Sequence, residues 1–324
     1  MIVTLTLNPA LDLTYTVMES SVGEVDVHRA TAATLEASGK GVNVSRALHT
    51  NGFETVAVLP LGGSTGHHLA ELLALDGVRH RIVTQHAVTR VNTTIAASDG
   101  LTAKVNGPGG RLSDADLEGL TGEVGAALGA SPAGEDTWLA VCGSLPPGLD
   151  PSAIGEFVAL AHEYGARCAV DASGAALTAA IGGGADLLAP NRLELAEVDL
   201  TAATATTIDG LAAVTAEIAR ERGTSLLVSV GRDGALFTDG GVVVHGHGPA
   251  LTPVNAAGAG DALLSGWLAH AGPPSERMAR AIRWSRATCL AATTVAPPLS
   301  KTSDTSDGVT VDRLSIGRTE RSTS

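Results

Sequence analysis

Aromatic side chains make up only 2% of the 324 residues, and cysteine occurs three times. Without rings, the core must be filled by Ala, Val, Leu and Ile, a supply that suits helices packed on a valine-rich sheet. Cys142, Cys168 and Cys289 stand in apolar surroundings at no metal-ligand spacing. They make neither a disulfide framework nor a zinc pattern, and are expected to be reduced core residues of a cytoplasmic protein. Positive charge is also scarce: 21 Lys and Arg stand against 34 Asp and Glu, a net charge of −13. Nucleic-acid binding needs a basic footprint, so it drops out as a function. If a substrate is anionic, the few cations must be gathered at its site. The apolar stretch 287–300 is too short to span a bilayer and is broken by Pro297-Pro298. The opening MIVTLTLNPALD lacks a basic segment and reads as a strand, not a signal peptide. No membrane partner is expected.

Glycine is plentiful at 39 residues, and it punctuates a regular alternation. Residues 2–7 predict a strand that stops at Asn8-Pro9, and 13–18 and 24–35 predict two Thr/Val-rich strands. A helix over 41–49, a buried strand over 55–60 and a helix over 65–75 follow. Short strand-like pieces at 80–84, 91–97 and 101–106 end in the breaker Asn106-Gly-Pro-Gly-Gly110. Beyond it, helices over 113–129, 152–164, 192–198 and 208–222 interleave with strands at 138–142, 168–171, 187–189 and 225–230. A hairpin over 235–238 and 241–245 and two helices, 261–270 and 276–293, close the pattern. Residues 200–208 read as a polar loop. This alternation predicts an α/β fold whose central, mostly parallel sheet is covered by helices on both faces. The early Thr/Val strands fall outside the alternation and predict a small separate sheet. One domain over 1–315 is expected, with small-sheet segments at about 9–38 and 88–108 and a flexible tail over 316–324.

Two nucleotide fingerprints are missing. Leu263 stands where the third glycine of a dinucleotide loop belongs, and Thr34 where a Walker A loop needs its first glycine. What is present is Gly258-Ala259-Gly260-Asp261 before an apolar helical run. Glycines there let backbone N–H groups converge on an anion at the helix start. Asp261 in that first turn is placed to take a proton from an attacking hydroxyl; the bland alternative is an ordinary N-cap. Ser38-Gly39-Lys40-Gly41-Val42-Asn43 opens another helix, with glycines for close approach, a mobile cation in Lys40 and a sugar-hydroxyl partner in Asn43. The alternative is a turn with a solvated lysine. Asn191 and Glu194 share the first turn after a strand and suit a phosphate-bound divalent cation that keeps its waters, or else a plain capping box. Ser229, Gly231 and Gly234 form a strand–turn–strand unit able to cradle a nucleotide. Asp12, Arg90, Asn92 and Ser144 are weaker substrate-binding candidates, each also readable as a turn or strand-edge residue. His245 and His247 alternate on a strand, and His67 and His68 sit on a helix; all four read as surface histidines.

The ordered set NPALD, GKGVNV, GSLPPG, PNRLE, SVGRDGAL and NAAGAGDA resembles the PfkB/ribokinase carbohydrate kinase family over roughly residues 1–295. Within that family it is most similar to the 1-phosphofructokinase and tagatose-6-phosphate kinase branch. The resemblance implies a ribokinase-like fold with a β-sheet lid that often pairs across a homodimer, and ATP and Mg²⁺ as cofactors. It implies that Asp261 is the base and Gly258, Ala259 and Gly260 the anion hole. It makes Asn191 and Glu194 the phosphate–Mg²⁺ motif, and Ser229, Gly231 and Gly234 nucleotide contacts. Asp12, Gly39, Lys40, Gly41, Asn43, Arg90, Asn92 and Ser144 then contact the sugar phosphate. Lys40 and Arg90, with Arg29 as a further cation, favour a phosphorylated ketohexose, first of all fructose 1-phosphate. Fructose 6-phosphate, tagatose 6-phosphate, a neutral sugar or a nucleoside are the other acceptors weighed. A non-catalytic sugar-binding protein and a nicotinamide oxidoreductase are the other classes, the latter lacking its glycine fingerprint. Three departures stand out: Ala256 replaces a hydroxyl residue, Ala189 replaces the lysine of Lys-Pro-Asn, and Ala262 replaces a frequent serine. The first bears on an anion-hole bond or a monovalent-cation contact.

Overall fold

The first strand, β1 (Ile2–Leu5), is buried at every residue, threonine included. Its Thr4 hydroxyl is satisfied inside the core by Ser45 Oγ at 2.8 Å, and Ser45 Oγ in turn meets Thr55 Oγ1 at 2.8 Å. The alternation of Thr with apolar residues is therefore no sign of a wet face here; a run of three hydroxyls lets Thr4 into the interior. The computed structural model describes residues 1–18, 27–97, 102–132, 134–299 and 308–315. The expected tail over 316–324 lies outside the described residues.

Around β1 stand β4 (Thr55–Leu61), β5 (His80–Thr84), β8 (Trp138–Cys142), β9 (Arg167–Asp171), β10 (Leu187–Leu188) and β11 (Ser225–Ser229). All are parallel, in the order β11-β10-β9-β8-β1-β4-β5. Three antiparallel strands, β12 (Ala235–Thr238), β13 (Val243–His247) and β14 (Thr310–Arg313), extend the β11 edge into a ten-stranded sheet. One face is covered by α3 (Asp114–Gly129), α4 (Ala153–Glu163), α5 (Gly174–Gly182), α6 (Arg192–Val198), α7 (Leu200–Thr204) and α8 (Ile208–Arg222). The other carries α1 (Lys40–Thr50), α2 (Gly63–Leu75), α9 (Ala259–Leu268) and α10 (Pro274–Leu290). Aliphatic residues fill both layers, each fully buried leucine contributing about 1.5–3 kcal/mol. This is the helix-covered, mostly parallel α/β sheet that the alternation predicts.

The structure adds elements that the sequence reading lacks. Helix α5 went unanticipated, because the run after Asp171 is nearly all alanine and glycine and has no polar stripe to reveal a helical period. Residues 200–204, read as loop, form α7, started by Asp199 Oδ1, which accepts from Thr201 N at 2.9 Å. The polar stretch near the C-terminus holds β14, which places Asp312 beside His247 with Nε2 to Oδ2 at 3.1 Å. Among the cysteines, Cys142 and Cys168 are buried as expected, while Cys289 is only half-buried.

A second sheet of four strands runs β3-β2-β6-β7, from β2 (Ala10–Val17), β3 (Ala30–Ser38), β6 (Arg90–Ala97) and β7 (Thr102–Asn106). Its register sorts the side chains by chemistry. Leu13, Leu35, Thr93 and Val105 line up across one face, with Tyr15, Ala33, Ile95 and Ala103 in the next row. Asp12, Glu36, Asn92 and Asn106 line up across the other, with Thr14, Thr34, Thr94 and Lys104 behind them.

Candidate active site

Because the central strands are parallel, their carboxyl ends share one edge, where open α/β sheets bind ligands. Asp171 closes β9 at that edge, Asn191 follows β10, Ser144 follows β8, and Asn8 follows β1. Two helices start over the same edge. Helix α1 is drawn tightly onto β1 by its glycines: a Cβ on Gly41 would collide with the Thr6 hydroxyl, and one on Gly39, at φ +124°, would lie 2.8 Å from Thr6 Cγ2. These glycines serve helix–strand packing, and that packing carries Lys40 and Asn43 over the strand ends.

Helix α9 begins with Gly258 as its N-cap at φ 78°. A side chain there would strike the Thr294 carbonyl, so only glycine fits. Gly260, by contrast, faces open space, with nothing within 4 Å of an added Cβ. The first-turn amides of α9 lack intrahelical acceptors and carry the positive end of the helix dipole. Asp261 sits in that turn, buried, its Oδ2 accepting from Asn43 Nδ2 at 2.7 Å. Ser265 Oγ donates to the Asp261 carbonyl at 2.6 Å and steadies the turn. Burial, reinforced by the negative charge of Asp171 and only partly opposed by the Asn43 bond, pushes the Asp261 carboxyl up to about 7. A carboxyl so poised can hold or release a proton near neutrality.

Facing Asp261 is a charged group that motif reading did not assemble. Lys40 Nζ donates to Asp171 Oδ1 at 2.7 Å and lies 3.6 Å from Glu194 Oε1. Burial works against the ammonium charge, but Asp171 and then Glu194 outweigh it and hold Lys40 above its ordinary value. Asp171 itself is raised by burial, with Lys40 pulling the other way. Asp171 was absent from the sequence reading; its only signal was an acidic residue ending a buried strand. Glu194 has two roles at once. Its Oε2 accepts from Asn191 N at 2.8 Å in a full capping box, while Oε1 is turned to Lys40. Asn191 Oδ1 accepts from the amides of Leu193 and Glu194, and Asn191 bridges to Ser229, bringing the two strand ends together. Asp171 and Glu194 both turn a carboxylate oxygen toward Lys40, and hard oxygen donors of this kind suit a divalent cation, which would share them with the Lys40 ammonium. In the glycine turn after β11, Gly231 at φ +61° borders open space, whereas Gly234 at φ +91° is pressed on the Gly246 carbonyl.

The polar face of the small sheet closes the other side. Asp12 accepts from Ser38 Oγ at 2.7 Å and from Asn92 Nδ2 at 2.8 Å. Arg90 donates to the Asn8 carbonyl at 2.9 Å and the Gly107 carbonyl at 3.0 Å, while Asn8 Nδ2 reaches Pro108 O and Ser144 Oγ at 3.3 Å. Asn8, read from sequence only as a turn, thus ties β1 to the small sheet. Lys40 and Arg90, paired in the sequence reading as cations for one anion, have separate partners here, and Arg29 lies exposed just before β3. Three buried polar atoms in this group have no partner among the described residues: Asn43 Oδ1, Asn92 Oδ1 and Arg90 Nε. Buried polar atoms are rarely left so, and these three suit polar partners supplied by a ligand.

The comparisons with known proteins agree with this geometry. The model of the pfkB family carbohydrate kinases matches residues 5–295. A 1-phosphofructokinase of Rhodobacter capsulatus is 34% identical over 297 residues, covering 90% of each chain. The ATP-dependent 6-phosphofructokinase isozyme 2 of Escherichia coli K12 is 32% identical, over 81% of this chain and 83% of its own. The crystal structure of Escherichia coli phosphofructokinase-2 in complex with potassium superposes with a TM-score of 0.83 at 29% identity, covering 93% of this chain and 96% of that one. With a matched fold and most of its length inside the family model, the chain belongs to the pfkB family of carbohydrate kinases.

Proposed function

We propose that this protein is an ATP-dependent sugar-phosphate kinase that phosphorylates fructose 1-phosphate at its C6 hydroxyl. The observation that carries the reading is Asp261, buried in the first turn of α9 beside unfilled amides and the open space at Gly260. As the acceptor oxygen forms its bond to the γ-phosphorus, Asp261 takes the hydroxyl proton and the bond to the ADP oxygen breaks. The first-turn amides, including Gly260, stabilise charge on the transferred phosphoryl oxygens, and Ala259 and Gly258 fix their direction. Asn43 holds the Asp261 carboxylate in place. Glu194 and Asp171, with Asn191 beside them, would hold Mg²⁺ with the nucleotide phosphates, where it supplies charge neutralisation. Ser229, Gly231 and Gly234 cradle the nucleotide.

Asp12, Asn92 and Asn43 bind sugar hydroxyls, and Arg90 with Ser144 lies toward the acceptor's phosphate. The acceptor assignment is supported by the name of the Rhodobacter relative and by Arg90, a cation beside the polar face of the small sheet whose Nε has no partner among the described residues. Fructose 6-phosphate is the second reading, favoured by the Escherichia coli relative. Monovalent-cation dependence is supported by the potassium complex of the structural neighbour, although Ala256 offers no hydroxyl. We place the enzyme in the cytoplasm; among the described residues no helix is long and apolar enough to cross a membrane. A homodimer formed through the small sheet is supported by the exposed Tyr15, Leu35 and Val105 on its apolar face. The test is ADP release with Mg-ATP against fructose 1-phosphate, fructose 6-phosphate, tagatose 6-phosphate, fructose, ribose and adenosine, each beside Asp261→Asn. Turnover strongest on fructose 1-phosphate and abolished in the variant is expected. Turnover confined to a neutral acceptor, or retained in Asp261→Asn, overturns the reading.

A further inference from the structure

The amino end of the large sheet carries a second recess, at the edge opposite Asp171 and Asn191. A cleft of about 600 Å³ opens where β8, β9 and β11 begin and where α9 gives way to α10. Trp138, Arg167 and Ser225 are the first residues of their strands, so parallel strands put this cleft roughly one strand length, ~15 Å, from the catalytic edge. Such a volume lies in the range of small-molecule sites.

Its lining is unlike the rest of the chain. Two of the three tryptophans, Trp138 and Trp267, lie in it. Over them stand guanidinium groups: Arg167 is 4.1 Å from the Trp138 ring centroid, and Arg277 is 4.5 Å from that of Trp267. Arg220 also lines the cleft, its Nη2 donating to the Gly240 carbonyl at 3.2 Å. In a protein of net charge −13, this gathering of cations needs a reason.

Arg277 is the informative residue. It is only 9% exposed, and its Nε donates to the Trp267 carbonyl at 2.9 Å. Among the described residues no carboxylate lies within ion-pairing distance of it, whereas Arg167 is paired with Asp136. The acidic side chains that share the cleft are engaged with backbone donors. Asp186 Oδ2 accepts from Cys168 N and also meets His162 Nε2, and Asp239 Oδ1 accepts from Gly241 N and Val242 N. Burial first, and then the neighbouring Arg167, push the Arg277 guanidinium down to about 10, with Asp136 acting the other way. The first turn of α10 adds the positive end of its dipole at Pro274. A buried cation without a carboxylate beside it is costly, and an anion in the cleft would relieve it.

We infer that this basal cleft is a binding site for a small oxyanion, a phosphate or carboxylate on a metabolite-sized body, held by Arg277 and Arg167 against Trp138 and Trp267. The arginine forks suit bidentate oxyanion contact, and their stacking on the rings fixes them beforehand. The site is independent of the catalytic reading, because none of its residues belongs to the kinase machinery.

The experiment titrates the full-length protein with inorganic phosphate, pyrophosphate and citrate against chloride at matched ionic strength. Tryptophan fluorescence is the readout. Saturable change is expected with at least one oxyanion, weakened about tenfold to hundredfold in Arg277→Gln and unaltered in Arg90→Ala. The phosphate and citrate arms separate phosphoryl from carboxylate preference. If Arg277→Gln does not fold, Arg167→Gln, at a half-exposed position, takes its place under the same criterion. Three outcomes overturn the inference: no saturable response to any oxyanion, a response equal in wild type and the cleft variant, or a response lost in Arg90→Ala, which would place the anion at the catalytic edge.

Discussion

Asp171 and Asp12 each accept a 2.7 Å hydrogen bond from a neighbouring side chain, but from donors of different kinds. At the carboxyl end of the large sheet, Asp171 is buried against an ammonium, with Glu194 on the other side of Lys40. On the small sheet, Asp12 is only half-buried and held by a hydroxyl and an amide. The large sheet therefore fixes charges against one another, in a place where low dielectric makes each charge matter. The small sheet presents mostly neutral hydrogen-bonding groups, with Asn92 Oδ1 and Arg90 Nε unpartnered among the described residues. That division matches a transfer of charged phosphoryl at one side and recognition of hydroxyls at the other.

The comparison breaks most sharply at Asp261. Asp261→Asn keeps size and the Asn43 contact but removes the base, and turnover is expected to fall about 10²- to 10⁴-fold with nucleotide binding retained. With the wild-type carboxyl near 7, the rate is expected to drop below that pH as the base becomes protonated. Stability has the opposite sign. The folded carboxyl titrates above the ordinary value of 3.8, so between these two values the folded state binds the extra proton. Wild-type stability therefore declines as pH rises through that window, and the loss is complete above about 7. Asp261→Asn lacks this loss and is expected to melt a few degrees higher than wild type at alkaline pH. A variant that is both fully active and less stable there would reverse both assignments.

Lys40 comes next. Lys40→Met leaves Asp171 and Glu194 facing each other without a counter-charge, and both turnover and stability are expected to suffer, turnover by about a hundredfold. Asp171→Asn in the same background is expected to recover stability, since it removes one of the stranded charges. If the double variant is no more stable than Lys40→Met, the triad is not the unit described above. On the small sheet the expected effect is smaller and of another kind. Arg90→Ala is expected to raise KM for the sugar phosphate about tenfold with little change in kcat, a loss of binding common to ground and transition states. Steady-state kinetics separate the two patterns.

Much of this contrast could be read in advance, and the unread part of the site has one physical cause. Short-range signals carried the strands, most helices and the glycine-opened helix starts: α8 spans 208–222 as expected, because a Thr207 cap and a C-terminal Gly223 mark both ends. Each candidate motif was also legible as a local string. Long-range pairing was not. Asp171 becomes part of the site only because the fold brings it to Lys40, 131 residues away, and Asn43 meets Asp261 across 218. The same limit applies to Lys40, a sugar-phosphate contact by its motif, whose pairing with Asp171 and Glu194 exists only through the fold. Helix α5 and the terminal strand β14 were missed for a different reason, since neither has a periodic polar face that separates it from a loop.

The smallest expected change in turnover concerns the outer face of the small sheet. Tyr15 is 37% exposed, Leu35 43% and Val105 71%, and Leu35 lies opposite Leu13 in the register. Exposed apolar residues on a sheet face mark an interaction surface when they are contiguous. Leu35→Glu places a charge there without touching Asp12, Asn92 or the large sheet. The fold should lose no more than about 0.5 kcal/mol, as for other surface substitutions. Association should fail, because a dimer would have to bury the new carboxylate without a partner. Analytical ultracentrifugation of wild type and variant reads this directly. A wild-type dimer turned monomer by Leu35→Glu, with the Asp261-dependent rate per chain nearly intact, would separate the two faces of one sheet: one for substrate, one for a second copy. A variant that stays dimeric would move the interface elsewhere and leave the apolar face without that role.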